Sequence, residues 1–235
     1  MAYLPYRRTW GHPLHVPISE KNPDGITTRN TGCRKNPTRG KRKTVIQDYL
    51  HPNEIHAIAD QYFKNLSGPP ASGRLSEFSD ADKFDAFIRG WTQYWNEVLN
   101  PTEPLDPDLV KALIATESSF KLKPPAQNAG AAGKARGLIQ LTDQAIRALK
   151  DPNGELKDHL VEMIPEEASD PNVAISAGIR WLFHKKVLAA NRLKREATWM
   201  EGIAEYKAYL KDMISGKDPN PKGMQKIQYF YRKLK

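Results

Sequence analysis

Two Asp-Pro steps, Asp106-Pro107 and Asp170-Pro171, each stand directly in front of an apolar run at helical spacing. An aspartate side chain accepts hydrogen bonds from the free amides of a first helical turn. Proline fits the first helical position because the amide it lacks would have no partner there. The steps therefore predict two helix starts. After the first come Leu109, Val110, Leu113 and Ile114; after the second come Ile175, Ile179, Leu182, Phe183 and Val187. Each set falls on one face of a helix. A chain punctuated this way is mainly α.

The same reading places further helices. One spans residues 52–66, with Ile55, Ile58, Ala59 and Tyr62/Phe63 on one side, and the segment SGPPASG (67–73) breaks it. Ser79 opens a strongly amphipathic helix with Phe84, Phe87, Ile88, Trp91, Tyr94, Trp95 and Val98 at three-to-four spacing. Such an aromatic stripe reads as core, with a carbohydrate platform as the alternative. Thr142 caps a short helix, and another is expected over 155–163. Thr198 with Glu201 forms a capping box whose helix runs to Gly216, and a last basic helix spans 224–234. Residues 121–140 are rich in Pro, Gly and Ala and suit a small hairpin-like lobe. Three regions result: a basic, Pro/Gly-rich extended arm (1–45), a helical N-terminal region (46–100) and a main domain (101–235).

Charge sharpens this division. The chain has 235 residues and a formal charge of +9, and residues 1–43 hold ten Lys/Arg against Glu20 and Asp24. The basicity belongs to the arm, which suits either an anionic partner or a solvated lead-in. No reading helix accompanies it, so no nucleic acid is expected as partner. No apolar run approaches the roughly 18 residues of a membrane span. The first residues lack the apolar core of a secretory signal, so export is expected by a dedicated apparatus or release by lysis. Cys33 is the single cysteine and the six histidines form no HExxH pattern. No metal or cofactor is expected.

One residue does not fit its helix. Glu117 follows Leu113 by four and Val110 by seven, so it lies on the apolar stripe. Burial disfavours the charged carboxylate and raises its pKa. General acids of this kind sit near about 6 and still hold a proton to give to a leaving oxygen. The plainer reading is a helix-end carboxylate facing solvent or pairing with Lys121.

Four pieces in order then carry a resemblance. Glu117-Ser118 is followed by Ser119-Phe120; next come Gly137-Leu138-Ile139-Gln140; next Asp170-Pro171, Ala177-Gly178 and Leu182; and last Glu205-Tyr206-Lys207. This series resembles the catalytic domain of the soluble lytic transglycosylases, relatives of goose-type lysozymes, over about residues 105–210. The resemblance implies a lysozyme-like α+β domain with a small β-rich lobe, acting on peptidoglycan at the β-1,4 bond between N-acetylmuramic acid and N-acetylglucosamine. Glu117 would protonate the leaving oxygen and then act as base on the muramoyl C6 hydroxyl, closing a 1,6-anhydro ring. Ser118 would hydrogen-bond the acid or the substrate. Gly137, Leu138, Ile139 and Gln140 would line the saccharide groove, and the Tyr206 hydroxyl would orient the acid. Ile139 replaces the usual Met. Lys207 replaces the usual Asn, and is expected either to meet an anionic group of muramic acid or to point away.

A hydrolytic glycosidase needs a second carboxylate, and none lies between Glu117 and Asp143. That gap fits a single acid–base residue, although Asp143, Glu201 or Glu205 could fold back toward the site. The biology expected is a bacteriolytic enzyme acting in the periplasm or cell wall. It would be an antibacterial effector of a type VI-like secretion apparatus with a cognate immunity protein, a phage lysin, or a wall-opening component of a secretion machine. The competing reading is a non-catalytic glycan- or partner-binding module on the same fold.

Overall fold

The computed structural model describes residues 49–63, 74–125 and 127–235. The basic arm, the segment 67–73 and the expected end of the first helix at 64–66 lie outside the described residues.

Both Asp-Pro steps act as the sequence predicts. Asp106 accepts from the Asp108 amide at 2.9 Å and opens helix α3 (Pro107–Glu117). Asp170 accepts from the Asn172 and Val173 amides and opens α5 (Pro171–Leu193). Around them stand α1 (Pro52–Tyr62), α2 (Asp85–Leu99), α4 (Asp143–Lys150), α6 (Trp199–Tyr206), α7 (Leu210–Ile214) and α8 (Lys222–Leu234). Helix α5 is the centre of the packing, touching α1, α2 and α6, while α3 lies between α2 and α8. The aromatic stripe of α2 is core: Trp91 and Trp95 are fully buried. Their indole N–H groups donate to Asn172 Oδ1 at 2.7 Å and to the Ser176 carbonyl at 2.9 Å, both on α5. Buried indoles need such partners, and here the partners fix the register of α2 on α5.

The lobe after α3 is a three-stranded antiparallel sheet of β2 (Gln127–Asn128), β3 (Lys134–Arg136) and β4 (Leu141–Thr142), in that order. Ala135 pairs with both Gln127 and Thr142. Thr142 ends the lobe and caps α4 by accepting from the Ala145 amide. A mainly helical domain with a small β lobe results.

Two expected helices take other forms. The segment 155–163 carries β5 (Leu160–Val161), which pairs in parallel with β1 (Tyr49–Leu50). The buried Arg180 of α5 donates to the carbonyls of Asp158 and His159, both at 2.9 Å. Those two contacts take carbonyls that a helix would use for itself, which is why local propensity loses. The helix expected from Thr198 to Gly216 is divided. Its capping box forms as expected, but α6 ends at Tyr206, Ala208 turns left-handed with φ 59°, and the Tyr209 amide reaches back to Ala204. The break falls at Lys207.

Candidate active site

Glu117 is the last residue of α3. The stripe it continues is dry, with Val110, Leu113 and Ile114 fully buried. Its own side chain is 14% exposed, so its edge reaches solvent while its body does not. The partner of its carboxylate is Lys207, ninety positions away, whose side chain is 10% exposed and whose ammonium donates to Oε1. Lys207 therefore does not point away from the site, and the partner of Glu117 is this lysine rather than Lys121. Burial pushes the Glu117 carboxyl up, and the charge and hydrogen bond of Lys207 oppose this without cancelling it, so its pKa stands above the ordinary glutamate value.

Tyr206 packs beside this pair. Its hydroxyl donates to the Ile139 carbonyl at 2.7 Å. That commits the single hydroxyl proton, so toward Glu117 the phenol oxygen is left only as an acceptor. Burial raises the phenol well above its usual range, and the nearby Glu117 charge adds to it, so Tyr206 stays neutral. The bond also ties the end of α6 to the Gly137–Gln140 turn, and so sets where Lys207 stands.

That turn is built by close approach. Gly137 has φ +70°, and a Cβ there would lie 1.9 Å from the Ala168 carbonyl oxygen. Leu138 and Ile139 are 1% and 0% exposed, so their side chains belong to the core and only their backbone is left to meet a glycan. Ile139 rests on Gly178 of α5, where a Cβ would come within 2.4 Å of its Cγ2. Gln140, with φ 52°, is buried; its Nε2 donates to the Gly137 carbonyl, while its Oε1 is a buried acceptor without a donor. Ser118 is also buried, and its hydroxyl donates back to the Ile114 carbonyl at 3.4 Å. The structure thus brings Glu117, Tyr206, Lys207 and the Ile139 carbonyl together.

A family model described as the transglycosylase SLT domain matches residues 94–209. Residues 94–209 are a transglycosylase SLT domain. The SLT match begins inside α2 and ends at the break after Lys207, so it contains every residue just placed. The SLT domain is of the lytic transglycosylase type, which cleaves the glycan of cell-wall peptidoglycan. Comparison with curated proteins and with solved structures gave no match.

The three carboxylates able in principle to serve the SLT domain as a second group are engaged elsewhere. Asp143 accepts from the Lys134 amide at 2.8 Å and from Arg136 Nε at 3.2 Å, contacts that hold it below the usual carboxylate range. Glu201 is held at about 2 by Arg195 and by its capping contacts with Thr198. Glu205 takes both guanidinium contacts of Arg192, at 3.1 and 3.2 Å. A cavity of about 460 Å³ between α5, the start of α6 and the Glu155–Asp158 segment includes none of the motif residues. Among the described residues no group of three His, Cys, Asp or Glu is arranged for a metal, and no helix is long and apolar enough to cross a membrane.

Two residues escaped the sequence reading. The first is Lys207 as the counter-ion of Glu117; its place directly after Tyr206, where the family has an amide, marks the position as unusual but does not point to Glu117. The second is Lys111, wholly buried within α3 and bonded to Asp82 and Asp85 at 2.8 Å each. It sits in the apolar run and gives no signal of its own.

Proposed function

We propose that this SLT domain cleaves the MurNAc-β-1,4-GlcNAc bond of peptidoglycan with Glu117 as the single acid–base residue, leaving 1,6-anhydro-muramoyl ends. The observation that supports it most is the pairing of one buried carboxyl, its pKa raised by desolvation, with the engagement of Asp143, Glu201 and Glu205 elsewhere. A water-activating or nucleophilic carboxylate is what hydrolysis requires, and none of these three is free for it. Glu117 gives its proton to the leaving glycosidic oxygen. The resulting carboxylate takes the proton of the muramoyl C6 hydroxyl, whose oxygen closes on C1. The carboxyl returns to its starting state with no water consumed.

In this account the backbone of Gly137, Leu138 and Ile139 forms the groove wall, with Gln140 bracing it through the Gly137 carbonyl and Ser118 setting the end of α3. Tyr206 holds the wall to α6. Replacing Glu117 by Gln should abolish solubilisation of purified sacculi while leaving the fold intact; undiminished activity in that variant would sink the proposal. As a bacteriolytic enzyme, whether effector or phage lysin, a periplasm-targeted copy should lyse cells that tolerate a cytoplasmic copy.

The second reading, a glycan-binding module, is favoured by one observation: the carboxylate of Glu117 is paired with the Lys207 ammonium, which opposes its protonation. Stable binding of sacculi with no soluble product would select it.

A further inference from the structure

The ion pair poses a chemical problem for the reading of Glu117 as the acid, and the inference here rests on that reading. A carboxylate bonded to an ammonium has no proton to give. Among the described residues Lys207 is the hydrogen-bond partner of this carboxylate, and the neighbouring Tyr206 hydroxyl is committed to Ile139. Among the described residues no second cation acts on Glu117 to keep it ionised once Lys207 leaves.

Lys207 is well placed to leave. It stands at the break between α6 and α7, next to the left-handed Ala208, and its side chain reaches solvent at its edge. An ammonium carries three donors on a flexible stem, so it can take a second carboxylate before releasing the first. Exchanging one carboxylate for another preserves its charge pairing. Glu117 is then left buried and uncompensated, a condition in which a carboxylate takes up a proton.

We propose that Lys207 is a specificity residue that arms Glu117 in response to substrate charge: a carboxylate of the muramoyl unit draws the ammonium away, and Glu117 takes a proton from solvent. The carboxylate is either the free lactyl group of a denuded strand or a carboxylate of the attached peptide. Both present the same chemistry to Lys207. A neutral glycan occupies the same groove without arming the acid. The groups facing Glu117 are Lys207 at the end of α6 and Tyr206 beside it, and the phenol stays neutral throughout.

The test uses the full chain labelled with 13C at glutamate side-chain carboxyls, the Glu117 resonance being assigned by its loss in Glu117→Gln. At a pH where Glu117 of the free protein is ionised, N-acetylmuramic acid, an N-acetylmuramoyl peptide and N-acetylglucosamine are titrated in turn. The resonance should move toward the protonated position with either muramoyl compound and stay put with N-acetylglucosamine. Response to only one muramoyl compound identifies which carboxylate serves. In Lys207→Met the resonance should start nearer the protonated position and cease to respond, while Lys207→Arg keeps the response. Equal movement with N-acetylglucosamine, or no movement with any of the three, overturns the proposal. Neither result depends on turnover, so failure here is separate from failure of the acid assignment, which is read from sacculi with Glu117→Gln.

Discussion

The Tyr206 hydroxyl and the Ile139 carbonyl meet at 2.7 Å, so the last turn of one helix is fastened to the wall of the proposed groove. Removing the hydroxyl in Tyr206→Phe should cost about 1 kcal/mol in chemical denaturation. Because this contact also sets the position of Lys207 and hence of Glu117, activity should fall further, on the order of 10- to 100-fold. An activity loss no larger than the loss of folded protein would show that the bond is structural alone.

Gly178 and Ile139 test the packing behind the same wall. A methyl at Gly178 would sit 2.4 Å from Ile139 Cγ2. Gly178→Ala should destabilise by about 1–3 kcal/mol through overpacking. Adding Ile139→Ala should recover part of that loss, so a double-mutant cycle should report coupling. At Gly137 the obstacle is backbone, the Ala168 carbonyl at 1.9 Å, and φ is positive. Gly137→Ala has no small neighbour to trim and should be the more damaging change, measured as the midpoint of thermal unfolding.

Lys111 offers a prediction with a pH sign. It is wholly buried against Asp82 and Asp85. Burial raises the Asp85 pKa, and Lys111 is the chief influence holding it back. Lys111→Met leaves the half-buried Asp85 carboxylate without its main cation and should cost about 2–3 kcal/mol at neutral pH. A carboxyl whose folded pKa is raised binds protons more readily in the folded state. The penalty should therefore shrink as pH falls and Asp85 becomes neutral. Urea denaturation of both proteins at neutral and acid pH measures it; a penalty that is constant with pH would place its origin in packing.

Asp143 holds the β lobe together. Its carboxylate accepts from the Lys134 amide and from Arg136, and the first contact is the main cause of its lowered pKa. A depressed folded pKa means stabilisation present at neutral pH and lost as pH drops through that low value. Asp143→Ala should speed hydrogen exchange at the Lys134 amide at neutral pH while leaving Glu117 ionisation unchanged. Loss of cleavage chemistry with an intact lobe would instead return Asp143 to the list of catalytic carboxylates.

What the sequence revealed was local chemistry. The caps at Asp106, Thr142, Asp170 and Thr198 form as read, because a cap depends on amides two or three residues away. The aromatic stripe of α2 declared its burial through helical spacing. The strand at Leu160–Val161 did not, because its partner Tyr49–Leu50 and its anchor Arg180 come from distant parts of the chain. The break at Lys207–Tyr209 was hidden for a similar reason: Ala208 gives no warning of a positive φ. Glu117 could be singled out as a carboxyl on an apolar face. Its counter-ion could not, since spacing along the chain says nothing of a contact ninety residues away.

The central claim is that one carboxyl does both proton transfers. Mass spectrometry of the muropeptides released from purified sacculi, by the wild-type chain and by Glu117→Gln, tests it most directly. The account predicts 1,6-anhydro-muramoyl ends from the wild type and none from the variant. Reducing muramoyl ends would contradict it, since they require water and a second carboxylate at work.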